Sequence, residues 1–285
     1  MVRPAGLADE EAALSRVRAA TLELGYDGPN PLGRSLRSGR SGIVAVADPL
    51  VDTAPMDVAV LIWGAWADDP MLRALQRRGV PVVIGNGPEI PGVPVIGIQD
   101  REGTADLARH LLELGHRRIA TMTLPVGPNR RSGVVDQAHM AELAWTPTGH
   151  RLQGLTDAGA TPVAIVEAAA SLVEAGKAAA HALLDLEVPA TAVVAQSDLL
   201  ASGVVLATGE HGLHVPEDLS VAGFDGLDLP RMSQDVLTTV VQPLAAKSEA
   251  LAGMVAALIA GYEARSVHLG TELRIGTSTG PPLPG

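Results

Sequence analysis

The sequence predicts an α/β protein in which parallel sheets are covered by helices on both faces. Short aliphatic runs such as GIVAVA (42–47) and TAVVAQ (191–196) show no polar alternation, which is typical of strands buried on both sides. These runs alternate along the chain with amphipathic segments of helical length. Residues of the AVILMFWYC set make up 47% of the 285 positions, which is enough to bury a large core.

The predicted elements follow one another in a regular order. A helix is expected first at 10–24, where Gly25 ends it, and a hinge-like segment with Gly and Pro follows. The expected strands cover residues 42–47, 57–63, 81–85, 94–98, 118–123, 162–168, 191–196, 219–224 and a last strand near 269–275. The helices expected between them cover residues 69–79, 102–114, 171–186, 198–211 and 244–262.

Composition excludes several classes of protein. The net charge of -11 argues against a protein coated with nucleic acid, and the absence of Cys excludes disulfides and thiolate metal sites. The longest weakly polar stretch, 250–262, is shorter than the roughly 20 residues that a membrane-spanning helix needs. Acidic residues stand near the N-terminus where a signal peptide has none, so we expect a cytoplasmic protein without a membrane partner.

One string resembles a catalytic motif. Residues 276–280 read G-T-S-T-G, but a nucleophile elbow needs a helix after the serine, and here two prolines follow. The sequence holds neither a P-loop nor a G-x-G-x-x-G fingerprint, and its close His pair, His211 and His214, lacks carboxylates at ligand spacing. We therefore expect no enzymatic activity, no bound metal and no cofactor.

Several fragments, in order along nearly the whole chain, resemble the lactose-repressor-like (LacI/GalR) family of bacterial transcription regulators. RVRAATLELGYDGPNPLGRSLRSGRSG (16–42) is similar to the end of that family's DNA-binding headpiece and its hinge. The other matching fragments are GVPVVI (79–84), VPVIGIQDREGTADLARHLLELGHRRIA (93–120), Arg151-x-x-Gly154, TAVVAQSDLLASGVVLATGEHGLHVPEDLSVAGFDG (191–226), LTTVVQP (237–243) and TELRIGTST (271–279). Each fragment alone is weak, and their collinear order makes the set specific.

The resemblance implies two Rossmann-like lobes of the periplasmic-binding-protein-like type, which close over a small effector. It also implies a homodimer in which the effector changes the lobe angle and a hinge helix forms or melts on operator DNA. The corresponding division is a truncated headpiece and hinge at 1–40 and an effector-binding core at 41–285. Within the core, the first lobe is expected at about 41–124 and 244–264, and the second at about 125–243 and 265–285.

Carried over position by position, the family's effector contacts fall on Asn86, Arg151, Ser197, Asp198, Asp225 and Gln242. The Arg fork binds paired oxygens, and Asp accepts hydrogen bonds from hydroxyls, so the set suits the vicinal hydroxyls of a sugar. Trp66 follows a strand end and Trp145 lies six residues before Arg151, so either indole could stack on a sugar face. We expect a neutral polyhydroxy compound, most simply a mono- or oligosaccharide.

Structural roles compete with each of these assignments. Asp198 opens a predicted helix, so its carboxylate can serve as the N-cap. Arg151 can form a surface salt bridge, and Gln242 can hold a crossover between the lobes through a hydrogen bond. Trp63, which still lies in a predicted strand, can pack into a core.

The hinge-like segment carries the residues that would meet DNA. Leu36 stands where the family inserts a leucine into the minor groove, and apolar wedges of this kind kink the duplex. Arg34, Arg37 and Arg40 would contact phosphates or the groove. The competing interpretation is a disordered basic arm.

The chain also departs from the family pattern. About 15 residues precede Arg16, enough for the third headpiece helix alone, so we expect an incomplete headpiece and weak operator binding. Only 48–56 separates two predicted strands where the family has helix–strand–helix, so the first lobe should lack an edge strand and two covering helices. Gly226 stands where the family has a second Asp, and Gln99, Gly276 and Gly33 also differ.

Two functions from different classes therefore stay open. The first is a sugar-responsive transcriptional regulator, and the second is a stand-alone small-molecule-binding protein that does not bind DNA. The missing headpiece helices favour the second, whereas the hinge-like sequence PNPLGRSLRSGR (29–40) favours the first.

Overall fold

A computed structural model describes residues 44–46, 55–62, 66, 69–229 and 236–283. The predicted N-terminal helix, the hinge and its residues Arg34, Leu36, Arg37 and Arg40 lie outside this range. Within it, no helix is long and apolar enough to cross a membrane.

The first sheet has five strands in the described part of the chain, and all of its pairs are parallel. Its strands, in spatial order, are β1 (Val44–Val46), β2 (Val58–Leu61), β3 (Val82–Gly85), β4 (Val95–Ile98) and β11 (Val267–Leu269). The strand β1 stands at one end of this order among the described strands, and residues 47–54, where the short connection is expected, lie outside the described residues. Every residue of β2, β3 and β4 is buried, as the unbroken aliphatic runs predict.

The second sheet has seven strands in this part of the chain. Its spatial order is β12 (Glu272–Arg274), β10 (Thr238–Val241), β9 (Ser220–Asp225), β8 (Ala192–Ala195), β5 (Ile119–Thr123), β7 (Ile165–Glu167) and β6 (Gly133–Val134). The edge strands β12 and β6 pair antiparallel with their neighbours, whereas the five central strands are parallel.

Helices cover both faces of both sheets. They are α1 (Pro70–Arg77), α2 (Asp100–Glu113), α3 (Gln137–Met140), α4 (Thr146–Asp157), α5 (Val173–Leu184), α6 (Asp198–Glu210) and α7 (Leu244–Ile259). On the five-stranded sheet, α1 packs one face and α7 the other, through Leu72 and Met254 respectively. On the seven-stranded sheet, α5 and α6 cover one face, and α2 and α4 cover the face that contains Phe224.

The chain passes between the two sheets more than once. It leaves the first sheet after β4, returns through Gln242 and Pro243 into α7, and crosses again at Gly270 between β11 and β12. Hydrogen bonds join two of these crossings, because the Gln99 amide donates to the Leu269 carbonyl at 2.8 Å. Ligands of parallel sheets bind at the carboxyl ends of the strands, and the crossings lie at those ends of β4, β10 and β11.

The strand assignments differ from the predicted lobe boundaries at two places. The strand β5 was expected in the first lobe, but it lies at the centre of the seven-stranded sheet. The single strand expected near 269–275 is two strands, and β11 belongs to the first sheet while β12 belongs to the second. Alternation of sheet and helix is visible in a sequence, but the choice of sheet depends on distant pairing partners.

Four elements of the structure were not predicted from the sequence. The strands β6 and β10 and the helices α3 and α4 were not expected. The helix α4 contains Gly149 and Gly154, and only Thr148, Gly149, Arg151, Gly154 and Leu155 are buried, so its apolar stripe is weak.

Candidate functional site

Three of the predicted effector residues lie at carboxyl ends of parallel strands. Asn86 directly follows β3 of the five-stranded sheet, Asp225 is the last residue of β9, and Gln242 directly follows β10. The sequence predicts the strands before Asn86 and Asp225, whereas the strand β10 before Gln242 was not expected. Polar groups from both sheets therefore converge where the chain crosses between them.

A chain of hydrogen bonds connects these residues across the two sheets. The Gln242 Nε2 atom donates to Asp225 Oδ1 at 2.6 Å, within the seven-stranded sheet. Lys247, in the first turn of α7, donates from Nζ to Asn86 Oδ1 at 3.0 Å and lies 3.5 Å from Gln242 Oε1. The four side chains thus bridge the gap between the sheets through neutral amides.

Asp225 sits in a strained and desolvated position. Its φ is 128°, which side-chain-bearing residues adopt at a cost and which is common at functional sites. Burial raises the pKa of Asp225 to about 6, and the nearby carboxylates Asp198 and Asp100 act in the same direction, while Arg151 and the Gln242 bond oppose it. A carboxyl group held in this way can accept a hydrogen bond from a ligand hydroxyl, or donate one when protonated.

Arg151 is a buried cation with three different partners. Its Nε donates to Asp100 Oδ1 at 2.7 Å, and its guanidinium lies 3.6 Å from the centre of the Phe224 ring. Its Nη1 donates to the Gln196 carbonyl. Both Arg151 and Asp100 are 3% exposed, so the expected alternative of a surface salt bridge is wrong, and the pair is buried. The pair fixes the guanidinium beside Asp225.

Ser197 and Asp198 are more deeply placed than the other predicted residues. Ser197, not Asp198, is the N-cap of α6, because its Oγ accepts the Leu200 amide at 3.2 Å. Asp198 is 0% exposed and accepts the Thr239 hydroxyl and the Leu227 amide, each at 2.6 Å. Burial raises the pKa of Asp198 against these hydrogen bonds. Whether either residue contacts an effector stays a prediction.

The backbone at Gly226 accounts for one departure from the family pattern, the glycine that stands where the family has a second Asp. Gly226 has a φ of 79°, and a Cβ at this position would lie 2.8 Å from Val241 Cγ1. A second Asp would therefore be strained and would collide with β10. The backbone here instead turns so that the neighbouring Leu227 amide reaches Asp198.

The two predicted tryptophans meet each other. The ring centroids of Trp66 and Trp145 are 5.6 Å apart, and their planes are inclined at 78° in an edge-to-face pair. The indole Nε1 of Trp145 and the Thr123 hydroxyl are buried without a hydrogen-bond partner among the described residues. Thr123 ends β5 and is paired in register with Glu167, so both of these residues lie at the carboxyl end of the seven-stranded sheet. A bound polar molecule is one means of satisfying such groups.

Several residues of this region were not predicted. Asp100 and Lys247 carry charges beside the predicted set, and buried Glu167 lies 2.5 Å from His139, measured between Oε2 and Nε2. The sequence gives only weak indications that Lys247 belongs to the site. It is one of only two lysines in the chain, and it lies a few residues after Pro243. Its approach to Asn86 spans 161 residues of sequence, which no local pattern reveals.

Two surface concavities of the described chain lie away from these residues. A groove of about 650 Å³ runs between the 89–94 loop and the chain from Gly261 to Ser266, at the amino ends of β4 and β11. A smaller one of about 280 Å³ is lined by the loop around Arg131 and His139. Neither contains a predicted effector residue.

Comparison with known proteins identifies the family. Residues 108–279 match the model of a periplasmic binding protein-like domain. An HTH-type transcriptional regulator of Mycobacterium tuberculosis is 31% identical over 280 residues, which cover 80% of this chain and 77% of that protein. Since 80% of a 285-residue chain is fewer than 280 residues, this chain has gaps in the alignment with the relative. The curated relatives are transcriptional regulators rather than enzymes, which confirms the expectation that the chain is not an enzyme.

Solved structures agree with this match. A LacI-family regulator from Corynebacterium glutamicum is 28% identical, with a TM-score of 0.74 over 80% of this chain and 69% of that chain. The regulator CelR, in complex with cellobiose, is 28% identical with a TM-score of 0.65 over 78% of this chain and 66% of that chain. The predicted fold of two periplasmic-binding-protein-like lobes is confirmed. The chain belongs to the LacI/GalR family of transcriptional regulators.

Proposed function

We propose that the chain is a ligand-responsive transcriptional regulator whose core binds a sugar between its two sheets and thereby controls operator DNA binding. The single observation that carries the proposal is the bridge of side chains across the sheets. Asn86 and Lys247 reach it from the five-stranded sheet, and Asp225 and Gln242 from the seven-stranded sheet. A ligand that exchanges hydrogen bonds with these groups binds differently to open and closed arrangements, which is the requirement for allosteric control.

The chemistry of the bridge supports a polyhydroxy ligand. Asp225 and the amides of Gln242 and Asn86 supply acceptors and donors in mixed order, as vicinal hydroxyls require. The Trp66 and Trp145 pair offers an apolar surface for a sugar face. A related regulator, CelR, is known as a complex with cellobiose, which supports the sugar class without naming the sugar.

The DNA side of the proposal rests on the relatives and on the hinge sequence. The curated relatives are HTH-type regulators, and residues 29–40 carry Arg34, Leu36, Arg37 and Arg40 in the family's hinge pattern. We assign these four residues to contacts with operator DNA, and we place the protein in the cytoplasm as a homodimer, as is typical of the family. A stand-alone binding protein without a DNA target is the alternative that a DNA titration decides.

Isothermal titration calorimetry with a panel of sugars and a panel of purine nucleosides tests the ligand class. We expect a sugar to bind and Asp225→Ala to weaken that binding by about 1.5–3 kcal/mol, the range for hydrogen bonds to charged groups. Asp228→Ala is the matched control, because the Asp228 side chain is 97% exposed. Binding of purines without sugars refutes the ligand class, and an unchanged affinity in Asp225→Ala refutes the site.

A further inference from the structure

The ammonium group of Lys247 occupies an unusual electrostatic position. It is half-buried at the bridge between the sheets, and its hydrogen-bond partner is the neutral Asn86 amide oxygen at 3.0 Å. The second near oxygen, Gln242 Oε1 at 3.5 Å, is also neutral. Among the residues that the structure describes, no carboxylate forms an ion pair with Lys247.

Two other charges of the site, Arg151 and Asp198, are already compensated within the protein. Arg151 is paired with Asp100 at 2.7 Å, and Asp198 accepts hydrogen bonds from Thr239 and from the Leu227 amide. The second lysine of the chain, Lys177, lies on the surface and is paired with Glu210 at 2.5 Å. Lys247 is therefore a cation of the site whose partners in the described chain are uncharged.

Burial lowers the pKa of Lys247, and the Arg151 charge acts in the same direction, whereas the nearby carboxylates Asp100 and Asp225 oppose the shift without forming an ion pair with the ammonium group. Amide oxygens offset part of the cost of burial, but a charge-assisted bond to an anion is roughly twice as strong. An ammonium group serves as a point charge for carboxylates and phosphates alike.

We propose that the effector is an acidic sugar, whose carboxylate or phosphate binds Lys247 and Asn86 while its hydroxyls meet Asp225 and Gln242. This proposal rests on the proposed function. It narrows the class of effector from sugars in general to sugars that carry an acidic group. Gln242 lies between Lys247 and Asp225, because its amide oxygen faces Lys247 and its amide nitrogen donates to Asp225. The acidic group of the ligand is thereby kept on the side away from the Asp225 carboxylate.

Matched pairs of probes test this assignment on the full chain. Calorimetric titrations compare glucose with glucuronate, galactose with galacturonate, and ribose with ribose 5-phosphate, with acetate and inorganic phosphate as anions that lack a sugar. We expect one acidic member to bind at least about tenfold more tightly than its neutral partner. Lys247→Met should weaken the binding of that acid by roughly 10- to 150-fold, and should weaken the neutral partner less, so that the preference for the acid is lost.

Lys177→Met is the control, because it removes the other lysine from an exposed pair. Lys247→Arg should retain a preference for the acid. If only the sugar carboxylates bind, or only the sugar phosphate, the result identifies which anionic group the site takes. Equal affinity for neutral and acidic members, or an acid preference that survives Lys247→Met, overturns the anionic ligand while leaving the sugar proposal intact. If no sugar of either kind binds, both proposals fail.

Discussion

Two ion pairs join the same two helices, α2 and α4, and they provide a sharp test of the site's architecture. Asp100 and Arg151 form the buried pair, and both side chains are 4% exposed. Arg101 and Asp157 form the other pair one residue further along α2, with side chains that are 49% and 40% exposed. Their chemistry is the same, so burial is the main difference between them.

Replacing Arg151 with Met leaves the Asp100 carboxylate buried without its counter-charge. Removal of one partner from a buried pair costs about 3–5 kcal/mol of unfolding free energy. For a chain of this size each kcal/mol lowers Tm by about 2–4 °C, so the expected loss in Tm is about 6–20 °C. The lost hydrogen bond to the Gln196 carbonyl acts in the same direction.

Thermal and urea denaturation near pH 8 measure this loss. Arg101→Met is the control, and we expect its unfolding free energy to be nearly unchanged because the pair is solvent-exposed. Adding Asp100→Leu to Arg151→Met should recover most of the stability, since it removes the stranded charge. Equal losses in Arg151→Met and Arg101→Met, or no recovery in the double variant, would refute the reasoning.

Two further predictions concern stability. The raised pKa of Asp225, about 6 against 3.8, means that ionisation destabilises the folded state: the penalty is present above about pH 6 and disappears as the pH falls through 3.8. Asp225→Asn should therefore raise the unfolding free energy by about 1–3 kcal/mol near pH 8 and by nothing below pH 4, whereas Asp228→Asn should show no such pH dependence. In α6, a Cβ on Gly203 would overlap the backbone of α5, while a Cβ on Gly209 meets nothing within 4 Å. Gly203→Ala should cost about 1–3 kcal/mol in urea denaturation, and Gly209→Ala should add about 0.5–1 kcal/mol; a stable Gly203→Ala would contradict the close crossing.

The sequence predicts the class of fold and most of its parallel strands for a physical reason. A strand covered on both faces has to be aliphatic along its whole length, and short runs of this kind are visible without a structure. The strands β3, β4, β5, β8 and β9 lie within one residue of the expected positions. The pairing of strands is less accessible, and the division of 269–275 between two sheets is the clearest case, because Gly270 separates two strands whose partners lie far away in the chain.

The residues of the site also differ in how far the sequence predicts them. The positions of Asn86 and Asp225 at strand ends could be predicted from the aliphatic runs before them, whereas the strand before Gln242 and the approach of the two sheets could not. The partner of Arg151 is 51 residues away in α2, and the partner of Lys247 is 161 residues away after β3. These contacts depend on how elements that lie far apart in the chain pack within one lobe, which the spacing of residues along the chain does not encode.

The central claim is that the effector binds where the strand ends of the two sheets meet. A crystal structure of the chain with the ligand selected by calorimetry tests it most directly. The account predicts ligand density within hydrogen-bond distance of Asp225 and Gln242 on one sheet and of Asn86 on the other. Density confined to the groove at the amino ends of β4 and β11, with these three side chains untouched, would contradict it.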